Sequence, residues 1–157
     1  MIKDRYLHTA IQADLKEKMV FLGGPRQVGK TTLARSLAPG LGKDYYNWDI
    51  DADRRLLMKN QLDQTSQFWV FDEVHKNRRW RNWLKGVYDE HHACHKILVT
   101  GSARLDLYAR GGDSLQGRYL AHTLHPVTLS ELAGVDQVHW GVPDVSQFAP
   151  VTPHDEL

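Results

Sequence analysis

"GGPRQVGKTT", Gly23–Thr32, follows at once on the apolar run "MVFL" at Met19–Leu22. Within it Gly24, Gly29, Lys30 and Thr31 fall at the spacing G-x-x-x-x-G-K-[ST]. The chemistry of each residue suits phosphate. Glycines accept positive φ and let a backbone approach a ligand closely. The N–H groups from Arg26 to Thr31 can then converge on phosphate oxygens at the positive end of a following helix. Lys30 would reach the β- and γ-phosphates, and the Thr31 hydroxyl would hold Mg²⁺. The candidate binding loop is therefore Gly24, Pro25, Arg26, Gln27, Val28, Gly29, Lys30, Thr31 and Thr32. The competing reading is a structural turn that only spells the motif. An apolar strand before and a helical pattern after favour phosphate.

Such a loop needs an acid for the metal on a second strand. "FWVFDE" supplies it, with apolar residues ending at Asp72 and Glu73 directly behind. At the carboxyl end of a buried strand both carboxylates emerge where the crevice of an open α/β sheet lies. Asp72 is the candidate Mg²⁺ anchor, and Glu73 the base that orients and polarises a water. "KILVTGSAR" ends a further strand with Thr100 and Ser102, polar groups that could face the γ-phosphate, although Thr-Gly-Ser is also a common turn. In "SLQGRY", Arg118 stands immediately before the last strand, where a catalytic and a plain surface arginine read alike.

The rest of the chain is consistent with one α/β domain. It has 157 residues, 41% apolar and 25% charged, a composition of ordinary globular proteins. A formal charge of +1 announces neither a nucleic-acid nor a membrane partner. The lone Cys94 excludes an intrachain disulfide and fits a reducing cytoplasm. No apolar run is long enough to span a membrane, and the amino terminus is no signal peptide. The terminal "HDEL" spells a retrieval signal that is never read without entry to the secretory path, so it reads as coincidence.

Apolar runs alternate with helical patterns, which predicts a largely parallel sheet. The strands are expected at 18–23, 44–50, 68–72, 96–101 and 118–129. Asn47 and Asp49 weaken the second. Helices are expected over Tyr6–Lys18, Lys30–Leu37, a stripe of Trp80, Trp83, Leu84, Val87 and Tyr88, and "ARLDLYARGG" at 103–112. The domain is expected over residues 1–133. Residues 134–157 hold three prolines and no sustained period, and read as a tail or the start of a further region.

From about Arg5 to Leu132 the chain resembles the AAA+ P-loop ATPases, in particular a prokaryotic family that opens with "GPRQVGKTTL". The resemblance rests on that stretch at Gly24–Leu33, "FDEVHK" at Phe71–Lys76, and "WLKGVYDE" at Trp83–Glu90. It continues through "LVTGSARLDLY" at Leu98–Tyr108, "GGDSLQGRY" at Gly111–Tyr119 and "LHPVTLSEL" at Leu124–Leu132. It implies a three-layer fold with sheet order 5-1-4-3-2, nucleotide at the carboxyl edge, and ATP with Mg²⁺ as cofactors. It implies Walker A roles for Lys30 and Thr31, Walker B roles for Asp72 and Glu73, and a sensor at Thr100 with Ser102. Arg118 matches the place of an arginine finger, which implies a homo-oligomer with that residue acting in trans. Members of the family usually continue into a carboxyl-terminal domain, and the residues after Leu132 are too few for a helical lid. The expectation is an ATPase core of a longer protein, or a shortened relative.

Other signals are weaker. "HHACH" at His91–His95 has no second ligand pair at zinc spacing. "HKNRRWRNWLK" could offer a nucleic-acid face, but its tryptophans fall on the buried stripe, so nucleic acid is not indicated. The sequence supports an ATPase acting on an unidentified partner. The alternative is a nucleotide-gated switch with little intrinsic hydrolysis. A small-molecule kinase ranks third, because Glu73 beside the metal acid argues for water activation.

Overall fold

Side chains alternate sides along a strand, so a run that is apolar throughout needs cover on both faces. The computed structural model describes residues 5–38, 44–102 and 115–133, and the cover is there. Helix α1 spans His8–Asp14, strand β1 Met19–Gly23, helix α2 Lys30–Leu37, strand β2 Tyr45–Asn47, helix α3 Asp51–Met58 and strand β3 Phe68–Asp72. A 3₁₀ turn at Val74–Lys76 leads into α4, Trp80–His91, followed by β4, Lys96–Thr100. Strand β5, Tyr119–Thr123, and helix α5, Leu129–Ala133, complete the described elements.

The five strands form one sheet in the order β2-β3-β4-β1-β5, with every neighbouring pair parallel. This is the expected order 5-1-4-3-2, read from the other edge. Alternation then sorts the core into two halves. Met19, Phe21, Trp69, Phe71, Ile97 and Val99 face α4, where Trp80, Leu84 and Val87 meet them. Val20, Leu22, Phe68, Val70 and Leu98 face the opposite way, against Ile11, Leu33, Ala34 and Leu37 of α1 and α2. The result is a three-layer α/β fold. Both tryptophans of α4 belong to the core side: Trp80 is buried, and Trp83 meets the Phe71 ring edge-on at 5.1 Å.

Three expected elements differ by more than one residue in their limits. The second strand ends at Asn47 instead of running to residue 50. Asn47 Oδ1 accepts the Asp49 amide at 2.9 Å, and Asp53 Oδ2 accepts the Asn47 amide at 2.9 Å, so the chain turns there into α3. Helix α3 was not expected, since Leu57 is its only buried residue and leaves little periodicity to read. The first helix is shorter than 6–18, because it gives way to turns at Lys16 to Lys18. The fifth strand stops at Thr123, and the segment expected to continue it enters α5. Thr128 and Glu131 explain that helix. The Thr128 hydroxyl accepts the Glu131 amide at 3.2 Å, and Glu131 Oε2 accepts the Thr128 amide at 2.8 Å, a reciprocal capping box. The expected helix at 103–112 and the tail at 134–157 lie outside the described residues.

Glu131 also ties α5 to the amino-terminal segment. Its Oε1 accepts Arg5 Nε at 2.8 Å and the Tyr6 amide at 3.0 Å. Burial pushes the carboxyl up, but the Thr128 amide, the Arg5 guanidinium and the Tyr6 amide outweigh it and hold the group down to about 2. A carboxyl depressed on folding stabilises above its unfolded range and loses that contribution as pH falls toward the folded value. Stability measured by urea unfolding is therefore expected to drop between about pH 4.5 and 2, with a shallower drop for Glu131→Gln. Equal acid profiles for the two proteins would contradict this account of Glu131. Among the described residues no helix is long and apolar enough to cross a membrane.

Candidate active site

Parallel strands bring all their carboxyl ends to one edge, and the candidate residues on β1, β3 and β4 meet there. β1 ends at Gly23, and the loop from Gly24 turns into α2 at Lys30. The loop needs positive φ at Gly24 (143°), Gln27 (62°) and Gly29 (92°). A Cβ at Gly24 would stand 2.4 Å from the Leu124 carbonyl oxygen, so only glycine fits that close approach. Gln27 adopts the left-handed region without that freedom, at a cost of about 1 kcal/mol or more. The loop is a built conformation, not a relaxed turn.

Lys30 lies along the inside of this loop, donating to the carbonyl oxygens of Gly24 (3.0 Å) and Pro25 (2.6 Å). Burial pushes its ammonium below the ordinary lysine range, while Glu73 and Asp72 pull it upward. The lysine therefore sits between the loop and the two acids.

Asp72, at the end of β3, is buried and collects hydroxyls. Its Oδ1 accepts Thr100 Oγ1 at 2.6 Å, and its Oδ2 accepts Thr31 Oγ1 at 3.4 Å and the phenol of Tyr45. Thr100 is fully buried, so it reaches the site through Asp72. Ser102 lies two residues beyond β4 at the same edge, half-buried. Glu73 takes the left-handed conformation at φ 58°, ψ 15°, and its amide donates to the Thr100 carbonyl at 3.0 Å. The Glu73 carboxylate lies 3.3 Å from Lys76 Nζ and 3.7 Å from His75 Nε2. Burial pushes the His75 imidazole below its ordinary range, so at neutral pH the cation beside Glu73 is Lys76.

Two participants carry no motif. Tyr45 stands on the edge strand β2, and its donation to Asp72 was not legible in "DYYNWDI", because the contact depends on β2 pairing with β3. Burial, then Asp72, push its phenol well above the ordinary tyrosine range, which keeps it a donor. Arg35 of α2 lies over its ring at 5.0 Å. Arg5, near the start of the chain, donates from Nη1 to the Val28 carbonyl at 2.6 Å and so touches the loop from outside.

Arg118 is not brought to this cluster within one chain. Tyr119 pairs with Met19 at the amino ends of the strands, so Arg118 lies one strand length, about 16 Å, from the edge that carries the loop. There its Nε and Nη2 donate to Asp89 Oδ1 and Oδ2 of α4, at 2.7 and 3.2 Å. The His91–His95 cluster also lies away from the site. His95 stacks on Trp69 at 3.9 Å and His91 meets it edge-on at 5.0 Å. Among the described residues no group of three or more histidine, cysteine, aspartate or glutamate side chains is placed to hold a metal ion.

Residues 16–133 match the family model described as "AAA domain". A comparison with curated protein sequences finds no match. Among solved structures, the chain is similar to the P-loop NTPase domain of the sigma-54 transport activator from E. coli, at 22% identity and TM-score 0.46. That match covers 66% of this chain and 89% of the other. C. elegans PCH-2 matches at 18% identity and TM-score 0.46, over 78% of this chain and 42% of its own. Pif1 helicase from Bacteroides, in complex with ADP-AlF3 and ssDNA, matches at 14% identity and TM-score 0.41, over 79% and 42%. With the family model spanning most of the sequence and a glycine loop joining a parallel sheet to α2, the chain belongs to the AAA domain family of P-loop NTPases.

Proposed function

We propose that this domain binds Mg-ATP in the loop from Gly24 to Thr32 and hydrolyses it, to drive or gate a partner not yet identified. What supports the reading is the hydrogen-bonded group at the carboxyl ends of the strands: Thr31 and Thr100 both on Asp72, with Lys30 across from them and Glu73 next in sequence. Thr31 and Asp72 fit Mg²⁺, because a hydroxyl and a carboxylate are the hard oxygen donors it takes and they already lie together. Bound there, the ion would neutralise charge on the β- and γ-phosphate oxygens. Loop amides and Lys30 orient the phosphates, Asp72 fixes Thr31, and Glu73 takes the proton of the attacking water. Thr100 and Ser102 complete the edge, with Thr100 holding the Asp72 carboxylate in place.

Residues 1–133 are the functional core in this reading. Lys30→Ala tests it first. Removing the ammonium is expected to weaken Mg-ATP binding at least about tenfold by calorimetry, a loss of roughly 1.4 kcal/mol, with an unchanged melting temperature. Unaltered affinity would mean that the loop does not hold a triphosphate.

Two observations favour a second reading, a nucleotide-gated switch with little hydrolysis of its own. Glu73 is engaged by Lys76, and Arg118 stands at the far end of the strands from the loop of its own chain. An isolated chain would then bind ATP and turn it over slowly. Tight binding with negligible phosphate release at every protein concentration would select the switch.

A further inference from the structure

A carbonyl and the N–H that follows it lie antiparallel across a planar trans peptide. Whatever fixes one fixes the other. In the loop, Val28 C=O precedes Gly29 N–H, and Arg5 Nη1 holds that carbonyl at 2.6 Å. Gly29 itself sits at φ 92°, where the peptide plane has no side chain to steer it. A Cβ placed there would stand 3.3 Å from the same Arg5 nitrogen, so the guanidinium packs directly against the glycine. With the carbonyl held by Arg5, the Gly29 amide points away from the guanidinium.

The guanidinium is itself held at its other nitrogens. Nε donates to Glu131 Oε1 at 2.8 Å, and Nη2 donates to the His125 carbonyl at 2.6 Å. The Arg5 side chain is 12% exposed and that of Glu131 only 4%. Tyr6 reinforces the arrangement, since its hydroxyl donates to the Thr123 carbonyl at 2.9 Å and accepts the His125 amide at 3.1 Å. Three separate segments thus converge on one planar fork: the loop, the turn after β5, and α5. A lysine ammonium carries its three donors on a single nitrogen and lacks the planar spread of this fork.

We propose that Arg5 is a positioning residue of the nucleotide site, setting the Gly29 amide toward phosphate, and that Glu131 holds Arg5 in register for this. The proposal rests on the nucleotide-binding reading above for its consequence, but its geometric part can be measured without nucleotide. Arg5 touches no phosphate in this scheme; it acts through the Val28–Gly29 peptide.

The test compares wild type, Arg5→Ala, Arg5→Lys and Glu131→Gln. In nucleotide-free protein, the Gly29 amide resonance should shift and exchange faster in both Arg5 variants, and less so in Glu131→Gln. Mg-ATP affinity should fall by between about tenfold and a hundredfold in Arg5→Ala, the loss of one oriented bond to a charged group. Because Glu131 acts through Arg5, the two substitutions combined should cost less than the sum of each alone. Guanidinium ion, added far below unfolding concentrations, should restore part of the affinity of Arg5→Ala, which a general loss of folding would not allow. If Arg5→Ala fails to fold, Arg5→Lys carries the test at matched melting temperature. An unmoved Gly29 amide in Arg5→Lys, or unchanged Mg-ATP affinity in a folded Arg5 variant, overturns the proposal. If wild type itself binds no Mg-ATP, the functional reading fails, and the Gly29 amide alone decides whether the clamp exists.

Discussion

Glu73→Gln is expected to keep Mg-ATP binding while hydrolysis falls by about 10²–10⁴-fold, the range of a lost general base. Glutamine matches glutamate in size and retains an acceptor oxygen, but it cannot take the proton of a water. The backbone should tolerate the change. Position 73 sits in the left-handed region with either side chain, and the amide bond to the Thr100 carbonyl does not involve the carboxylate. The residue that must respond is Lys76, which loses one anionic neighbour and keeps Asp49. Calorimetry and a phosphate-release assay on the same preparation separate the two effects. Equal turnover in variant and parent would move the base away from Glu73.

Arg118→Ala is expected to lower turnover by about 10³-fold with little change in ATP binding, the lower end for an arginine finger. The motive is charge that develops on the transferred phosphoryl group only in the transition state. The loop of its own chain is out of reach, at the other end of β1 and β5. In this scheme a neighbouring subunit supplies the phosphate, so hydrolysis per subunit should rise with protein concentration. In this scheme Asp89 presents the guanidinium as a fixed plane at the domain edge. Mixing Arg118→Ala with Glu73→Gln protein tests sharing, because one chain can lend its arginine and the other its base. Recovery in the mixture supports a shared site. A dead mixture, with wild type insensitive to concentration, would leave Arg118 as a structural partner of Asp89.

What could be read in advance follows from which interactions are local. The loop, β1 and β3 were legible because the glycine spacing and the apolar runs are contiguous in sequence. β5 was drawn too long because "LHPVTL" is apolar enough to pass for strand, whereas its end is set by Pro126 and by the Thr128–Glu131 capping box that starts α5. That box was present in "TLSE" and outweighed the apolar run. α3 escaped because a helix with a single buried residue, Leu57, has almost no period. Tyr45 and Arg5 could not be found by spacing at all. Each acts on a residue far away in the chain, Asp72 and Val28, and only the sheet register and the docking of the amino-terminal segment bring them together.

The span of the Arg5–Glu131 contact bears on how the molecule is made. These residues are 126 positions apart, so a growing chain exposes its arginine first and its carboxylate after all five strands. At about 5–20 residues per second, that interval is on the order of ten seconds. Over that interval the five strands emerge one after another, while the guanidinium has no acid to dock on. The ribosome thus delivers the scaffold before the latch, and under the proposed clamp the Val28–Gly29 peptide is fixed only once α5 has emerged.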